Sequence, residues 1–376
     1  MFTCVMQLTR REFLLSAGVT LASFSSIVEA DAATPRALSN GVDISWLPDV
    51  EAAGGRFFTS AGKRIDAISL LKSNGARVGR IRVFVNPDSN NGSLDRAIEL
   101  AKRLKLHGMD TCIDLHYSDT WADPSNQATP AAWPTNISDL QQQVSTYTEE
   151  TLRKFIDAGA SPQWVQIGNE IAGGFLWPLG KIATGTPNEW QNFVLLHNAA
   201  TKALRNALPK AKSMVHLESG GDPSRIRWWL TNASVYGLAN YDVIGLSYYS
   251  QWQGNLVNLG QALTVVTSEF KKPVVVAETA YPWIAQAFGN DVLDTSRSKL
   301  SGISISPAGQ QKFVKTLQVM LRQQPNNLGL GMWWWEGLAT VVRSSSGANL
   351  WNGGMANSTL VDLSGKALPA LKSLGG

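Results

Sequence analysis

A chain of 376 residues carries two cysteines, Cys4 and Cys112. Cys4 falls in a segment that reads as a removable leader, so the mature chain would keep one thiol and form no internal disulfide. Cys112 lies in an apolar strand pattern and is expected in the core. Histidine is scarce too. His107, His116, His197 and His216 show no paired spacing of the kind that builds a zinc site. We therefore expect no metal and no cofactor. Lys and Arg never gather in a run or along one helix face, although the net charge is +4. That is mild basicity, not a nucleic-acid footprint. No glycine-rich turn between a strand and a helix is present to cradle phosphate, and no serine nucleophile elbow appears. Beyond the N-terminal segment no stretch is apolar for long enough to cross a bilayer. No Pro- or Ser-rich linker and no low-complexity segment divides the chain.

What remains is a chain that is 44% hydrophobic and 16% charged, enough for a large core. Its 14 tryptophans are a heavy load. Trp fills cores, and its flat apolar face also stacks on the C–H face of a sugar ring. At the N-terminus, Thr9-Arg10-Arg11-Glu12-Phe13-Leu14 has the twin-arginine pattern. A moderately apolar run, 13–28, and a small-residue cleavage site at Ala30-Asp31-Ala32 follow. Residues 1–32 are thus expected to be an export signal, and residues 33–376 one domain of a periplasmic or secreted protein. A route that exports folded chains suits a chain that needs no disulfide.

From Gly41 onward, strand and helix signals alternate. Strands are expected at Gly41–Ser45, Val78–Val85, Met109–Leu115, Gln163–Ile167, Met214–Leu217, Tyr241–Tyr249, Val274–Glu278 and Leu328–Trp335. Helices are expected at Lys63–Ser73, Leu94–Leu106, Leu140–Ala158, Glu189–Ala207, Pro223–Leu230, Leu256–Phe270, Pro307–Arg322 and Ala367–Leu374. Near-continuous apolar strands separated by helices imply a parallel sheet covered by helices. Eight such units predict a single (β/α)8 barrel; a doubly wound open sheet is the alternative. Helix-to-strand connections are short, such as Asn74-Gly75 and Ala158-Gly159. Strand-to-helix connections, such as His116–Ser138 and Tyr281–Ser306, are long and rich in Trp, Tyr, Asn and Asp. Long loops collected at the C-terminal face of a barrel are where active sites form.

Two strands end in glutamate. Gln163-Trp164-Val165-Gln166-Ile167-Gly168-Asn169-Glu170 closes the fourth, and Lys272-Pro273-Val274-Val275-Val276-Ala277-Glu278 closes the seventh. A glycosidase needs such a pair, one carboxyl to protonate the leaving oxygen and the other as nucleophile or base. A separation of ~5–5.5 Å gives retention and a wider one gives inversion, and sequence spacing does not decide between them. A lone strand-end Glu reads equally as half of a structural salt bridge; a matched pair is harder to explain that way.

Here the residues resemble a known family. Asn169-Glu170 with Glu278 resembles the large clan of retaining (β/α)8 glycosidases. Finer blocks resemble glycoside hydrolase family 53, the endo-β-1,4-galactanases. They are Asp114-Leu115-His116-Tyr117-Ser118-Asp119-Thr120-Trp121-Ala122-Asp123-Pro124, Gln166–Ile171, Gly245-Leu246-Ser247-Tyr248-Tyr249 and Glu278-Thr279-Ala280-Tyr281-Pro282-Trp283. The resemblance implies Glu170 as acid/base, Glu278 as nucleophile, a retaining mechanism and a polysaccharide, galactan, as the substrate of a monomer. Another retaining endo-glycanase of the clan, or a glycan-binding barrel without catalysis, are the alternatives. The chain departs from the family at Gln253, where a histidine is usual, and at Trp334-Trp335-Glu336-Gly337, where Tyr-Trp-Glu-Pro is commoner. Its 344–355 connection is shorter than in calcium-binding members.

The supporting residues have physical roles. Asn169 can donate to the sugar 2-hydroxyl. Arg82 and Arg80 lie on one strand face; Arg82, nearer the rim, is expected to hold Glu278 ionised. Tyr248 or Tyr249 donates to Glu278, one of them pointing away. His116 and Asp123 are expected at the sugar, with Trp121 and Trp335 as stacking platforms. Trp228 and Trp229 fall inside a helix pattern and belong to the core.

Overall fold

Val, Ile and Leu dominate the strands, and most strand residues are buried on both faces, as a sheet wrapped by helices requires. The computed structural model describes residues 36–288, 291–296, 300 and 302–376. The expected export signal lies outside the described residues. Eight parallel strands close on themselves: β1 Gly41–Asp43, β2 Val78–Val83, β3 Asp110–Leu115, β4 Trp164–Ile167, β5 Lys212–Leu217, β6 Val243–Tyr248, β7 Val274–Thr279 and β8 Gly329–Trp334. Each pairs with the next, and β8 returns to β1. The doubly wound alternative is excluded, because no strand edge is left open.

Helices fill the connections: α1 Ala67–Ser73, α2 Leu94–Leu106, α3 Ile137–Asp157, α4 Pro187–Ala207, α5 Pro223–Val235, α6 Leu256–Thr264, α7 Pro307–Arg322 and α8 Pro369–Lys372. Their starts are chemically marked. Ser93 accepts from the Arg96 N–H, and Thr186 forms a reciprocal capping box with Glu189. Several boundaries shift by a few residues from the sequence expectation, and two of the shifts have a visible cause. The first helix begins at Ala67, because the Asp66 carboxylate caps it and Arg64–Ile65 instead pair with Phe57–Phe58 in a small hairpin. The sixth leaves α geometry after Thr264 and finishes in a π turn, Val265–Glu269. Among the described residues, no helix is long and apolar enough to cross a membrane.

The interior is layered by the two-residue period of the strands. Val78, Cys112, Trp164, Met214 and Trp333 fill the lower barrel, with the two indoles perpendicular at 5.5 Å. Cys112 is a core residue, as expected. Each such buried side chain contributes about 1.5–3 kcal/mol. Two residues further along β2 to β5 the same inward face turns polar, with Arg80, Asp114, Gln166 and His216. Two further again is the rim of the cleft. The lower layer is thus an apolar floor under a polar layer that reaches the strand ends.

Candidate active site

The polar layer is organised by Arg80, which is 1% exposed. Its guanidinium meets three carboxylates: Asp43 at 3.0 Å, Asp114 at 2.8 Å and Glu278 at 2.8 Å. It also donates to Gln166 Oε1 at 3.1 Å and Asn169 Oδ1 at 2.9 Å. A buried cation survives only with such partners. Burial would raise the Asp114 carboxyl, but Arg80 and His116 hold it below the usual range.

Glu278 faces this centre because β7 is irregular. Against β6, Leu246 pairs with Val276 and Ser247 with Glu278, so Ala277 is an extra residue. This bulge turns Glu278 inward after Ala277 has already faced the floor. Glu278 Oε1 binds Arg80, and Oε2 accepts from the Tyr249 hydroxyl at 3.1 Å. Burial pushes its carboxyl up, and Arg80 opposes that push. Tyr249 itself is driven well above its ordinary value by burial and by Glu278, so it remains a donor.

Glu170 arrives by a different device. β4 stops at Ile167, and Gly168 takes φ 79°, where a Cβ would lie 2.6 Å from Ile171. The chain turns there, and Asn169 and Glu170 both reach the cleft; Glu170 itself holds φ 51°. Left-handed backbone at a non-glycine residue is uncommon and collects at functional sites. Glu170 Oε1 accepts from Ser247 Oγ at 2.6 Å. Burial first, and the Glu278 charge second, push its carboxyl well above the ordinary range. Of the two, Glu278 is the one ion-paired to Arg80, which favours it as the anion.

Both glutamates line one cleft of about 960 Å³, with Asn169, Tyr249, Asp123, Trp121 and Trp335 among its walls. The structure departs from the sequence expectation at Arg82 and at His116, and it decides between the two tyrosines. Arg82 does not hold Glu278: it pairs with Glu336 at 2.6 Å and donates to Asn91 at 2.7 Å. It already stands at the rim, and its guanidinium lies over Trp121 and Trp46, 4.3 and 4.9 Å from the ring centres. Arg80, one layer lower, has the length to reach up to Glu278. Tyr248 points away; its hydroxyl donates to the Gly254 carbonyl, and its ring stacks on Phe313 of α7. His116 is in the wall, but both ring nitrogens are used, Nε2 3.0 Å from Asp114 and Nδ1 accepting from the Ala122 N–H. It holds the wall and offers no ring nitrogen to a sugar. Asp123 lines the same cleft and spends one oxygen, Oδ1, on the N–H groups of Ser125 and Asn126.

Several wall residues had escaped the sequence reading. Trp46 stands 5.9 Å from Trp121 and 5.7 Å from Trp335, ring centre to ring centre. Glu218 directly follows β5 and accepts from the Ala172 N–H, while Gln253 reaches across to the Glu218 carbonyl. Behind the wall, Glu336 is held by Arg82 and the Trp46 N–H; burial and Asp43 raise its carboxyl to about 8. The signal was available for Glu218, which continues the inward parity of Met214 and His216. Trp46 and Glu336 sit in loops, where no period applies. Trp229 is fully buried and Trp228 partly, as expected. Among the described residues, no group of three or more His, Cys, Asp or Glu could hold a metal ion.

A sequence profile described as glycosyl hydrolase family 53 matches residues 39–374. An arabinogalactan endo-beta-1,4-galactanase of Humicola insolens is 35% identical, over 88% of this chain and 97% of its own. One of Cellvibrio japonicus is 31% identical over 96% of each. Among solved structures, a fungal beta-1,4-galactanase superposes with a TM-score of 0.78 at 31% identity, covering 90% of this chain and 99% of its own. The family 53 catalytic domain of Ignisphaera aggregans gives 0.82 at 30%, covering 91% and 97%. With the match running from the first strand to the last helix, the chain belongs to glycosyl hydrolase family 53 and is a (β/α)8 glycoside hydrolase.

Proposed function

We propose that the protein is an endo-β-1,4-galactanase that cleaves β-1,4-galactan by a retaining double displacement. Glu278 is the nucleophile and Glu170 the acid/base. One observation carries the assignment of roles: the two carboxylates share a cleft but not an environment. Glu278 is bound directly to a buried cation, whereas the Glu170 carboxyl has one neutral donor, Ser247, and two like charges that oppose the more weakly felt Arg80. Paired groups pushed apart in this way identify the acid and the base.

In the first step a Glu278 oxygen attacks the anomeric carbon while Glu170 gives its proton to the departing glycosidic oxygen. The Glu278 charge is consumed in the ester that forms. Since that charge is part of what holds the Glu170 proton, Glu170 keeps its proton before the ester forms, and its proton affinity drops once the ester exists. It then takes a proton from a water whose oxygen bonds to the anomeric carbon as the ester bond breaks; Glu278 leaves with its charge restored and Glu170 regains its proton. Asn169 spends one amide proton on the Ala122 carbonyl and keeps the other for the sugar 2-hydroxyl. Trp121, Trp335 and Trp46 form the aromatic wall on which sugar rings stack. The arginine pair, Arg10-Arg11, supports reading 1–32 as a leader and the mature enzyme as exported.

The test is a substrate panel of galactan, arabinogalactan, mannan, xylan and mixed-linkage glucan, with products sized. Internal cleavage of galactan to short oligosaccharides is expected. Mannan or glucan as the preferred substrate would move the chain elsewhere in the clan, and binding without cleavage would remove catalysis from it.

A further inference from the structure

Behind Glu170 lie two residues that the double displacement does not use, His216 on β5 and Ser247 on β6. Both are fully buried. Ser247 Oγ is 2.6 Å from Glu170 Oε1 and 2.9 Å from His216 Nε2. Among the described residues, none hydrogen-bonds to Glu170 Oε2.

The Glu170 backbone N–H, which can only donate, points at His216 Nδ1 at 3.3 Å. The Gln166 amide is oriented from outside: Arg80, which can only donate, takes its oxygen, and Asp114 accepts from its nitrogen at 2.6 Å. That nitrogen's second proton faces His216 Nδ1 at 3.0 Å, with the Gly168 carbonyl and Asn169 Oδ1 at 3.1 Å beside it. Asn169 Oδ1 also lies 3.0 Å from Nδ1. Two N–H donors against one carbonyl oxygen leave Nδ1 bare and put the ring proton on Nε2. Nε2–H then donates to Ser247 Oγ, and the serine proton has one place to go, Glu170 Oε1.

We infer that the His216–Ser247 pair is a positioning device for the acid/base. It keeps a donor on Oε1 in every state, so the catalytic proton is confined to Oε2, the oxygen left for the substrate. It also stabilises Glu170 when the carboxyl must be ionised to activate water. The polarity of the chain begins at Arg80, so the cation that binds Glu278 also orients the donor to Glu170. His216 is held neutral by burial and by Arg80, and the pair keeps its direction across the working range. The ionisable groups around Glu170 are Glu278, Glu218, Arg80 and Tyr249; those around His216 are Arg80, Asp114 and His116.

This inference rests on Glu170 being the acid/base, and the experiment separates the two. The pH dependence of kcat/KM on β-1,4-galactan is measured for the wild type, Ser247→Ala, His216→Leu, His216→Gln and the Ser247→Ala/His216→Leu double variant, with melting temperatures alongside. Loss of a hydrogen bond to the charged form should move the basic limb of Ser247→Ala up by roughly one to two pH units. His216→Leu should move it the same way by less, and His216→Gln, which keeps an N–H donor, should move it least. In the Ser247→Ala background His216→Leu should add nothing, because His216 acts only through the serine. A purely structural pair would lower the melting temperature and leave the limb in place. An unmoved limb in Ser247→Ala overturns the device, and so does an equal His216→Leu shift with and without Ser247. Should His216→Leu not fold, Ser247→Ala alone decides. If Glu170→Ala leaves the basic limb intact, the acid/base assignment itself has failed, and the device with it.

Discussion

Replacing Arg80 by methionine should strike both stability and catalysis, and the structure sets the size of each effect. Methionine keeps much of the side-chain bulk but removes the cation from Asp43, Asp114 and Glu278, all of them buried. Breaking a buried ion pair from one side costs about 3–5 kcal/mol. For a folded unit of about 340 residues, ~2.1 cal/mol/K per residue gives an unfolding entropy near 0.7 kcal/mol/K, and the loss amounts to about 4–7 °C in Tm. Catalysis requires Glu278 ionised. Arg80 is the group that opposes its burial, so without it the carboxyl holds its proton to higher pH. An opposite charge at this range is worth about 1–3 pH units. The acidic limb of kcat/KM on galactan should therefore rise by that amount. Arg82→Met, which strips the cation from Glu336 instead, should cost stability and leave the acidic limb where it is. The reasoning is refuted if Arg82→Met moves that limb and Arg80→Met does not.

Glu170→Ala should cripple galactan, whose leaving group needs a proton, far more than an aryl galactoside with a good leaving group, provided one is accepted; equal losses on both would reduce Glu170 to a binding residue. Glu278→Ala should abolish turnover with the fold intact, and azide or formate should restore a little of it with an inverted product. Full activity in that variant ends the nucleophile assignment. Glu336 titrates near 8 when folded, against about 4.5 when free, so the folded state binds the extra proton and stability falls as pH rises between those values. Glu336→Gln should flatten that fall in denaturant melts; an unchanged slope would show that Glu336 is ionised throughout.

The barrel was legible because its signal is periodic. Alternating apolar strands and capped helices follow from local chemistry, and α2 and α7 begin and end where the pattern places them. The two glutamates were legible because they sit at strand ends, which a parallel barrel must bring to one rim. Which arginine serves Glu278 was not, since Arg80 and Arg82 share a face and differ only in height. The inward turn of Glu278 depends on one extra residue at Ala277, and a run of valines and alanine does not advertise a bulge. Tyr248 and Tyr249 are adjacent, so one had to point away; the period does not say which when the strand ends between them. His216 gives no sequence signal, because metal spacing is the only pattern a lone histidine can show, whereas its work is to orient a serine on the neighbouring strand.

The central claim is that Glu278 forms a bond to the sugar, and the anomeric course of hydrolysis tests it most directly. Proton NMR of β-1,4-galactan in the first minutes of reaction shows the new reducing ends before they mutarotate. Double displacement predicts the β-anomer first, with the α-anomer growing in later at the rate of spontaneous equilibration. An α-anomer appearing first would mean that water attacks directly, that Glu278 serves as its base, and that the covalent role assigned to Glu278 is wrong.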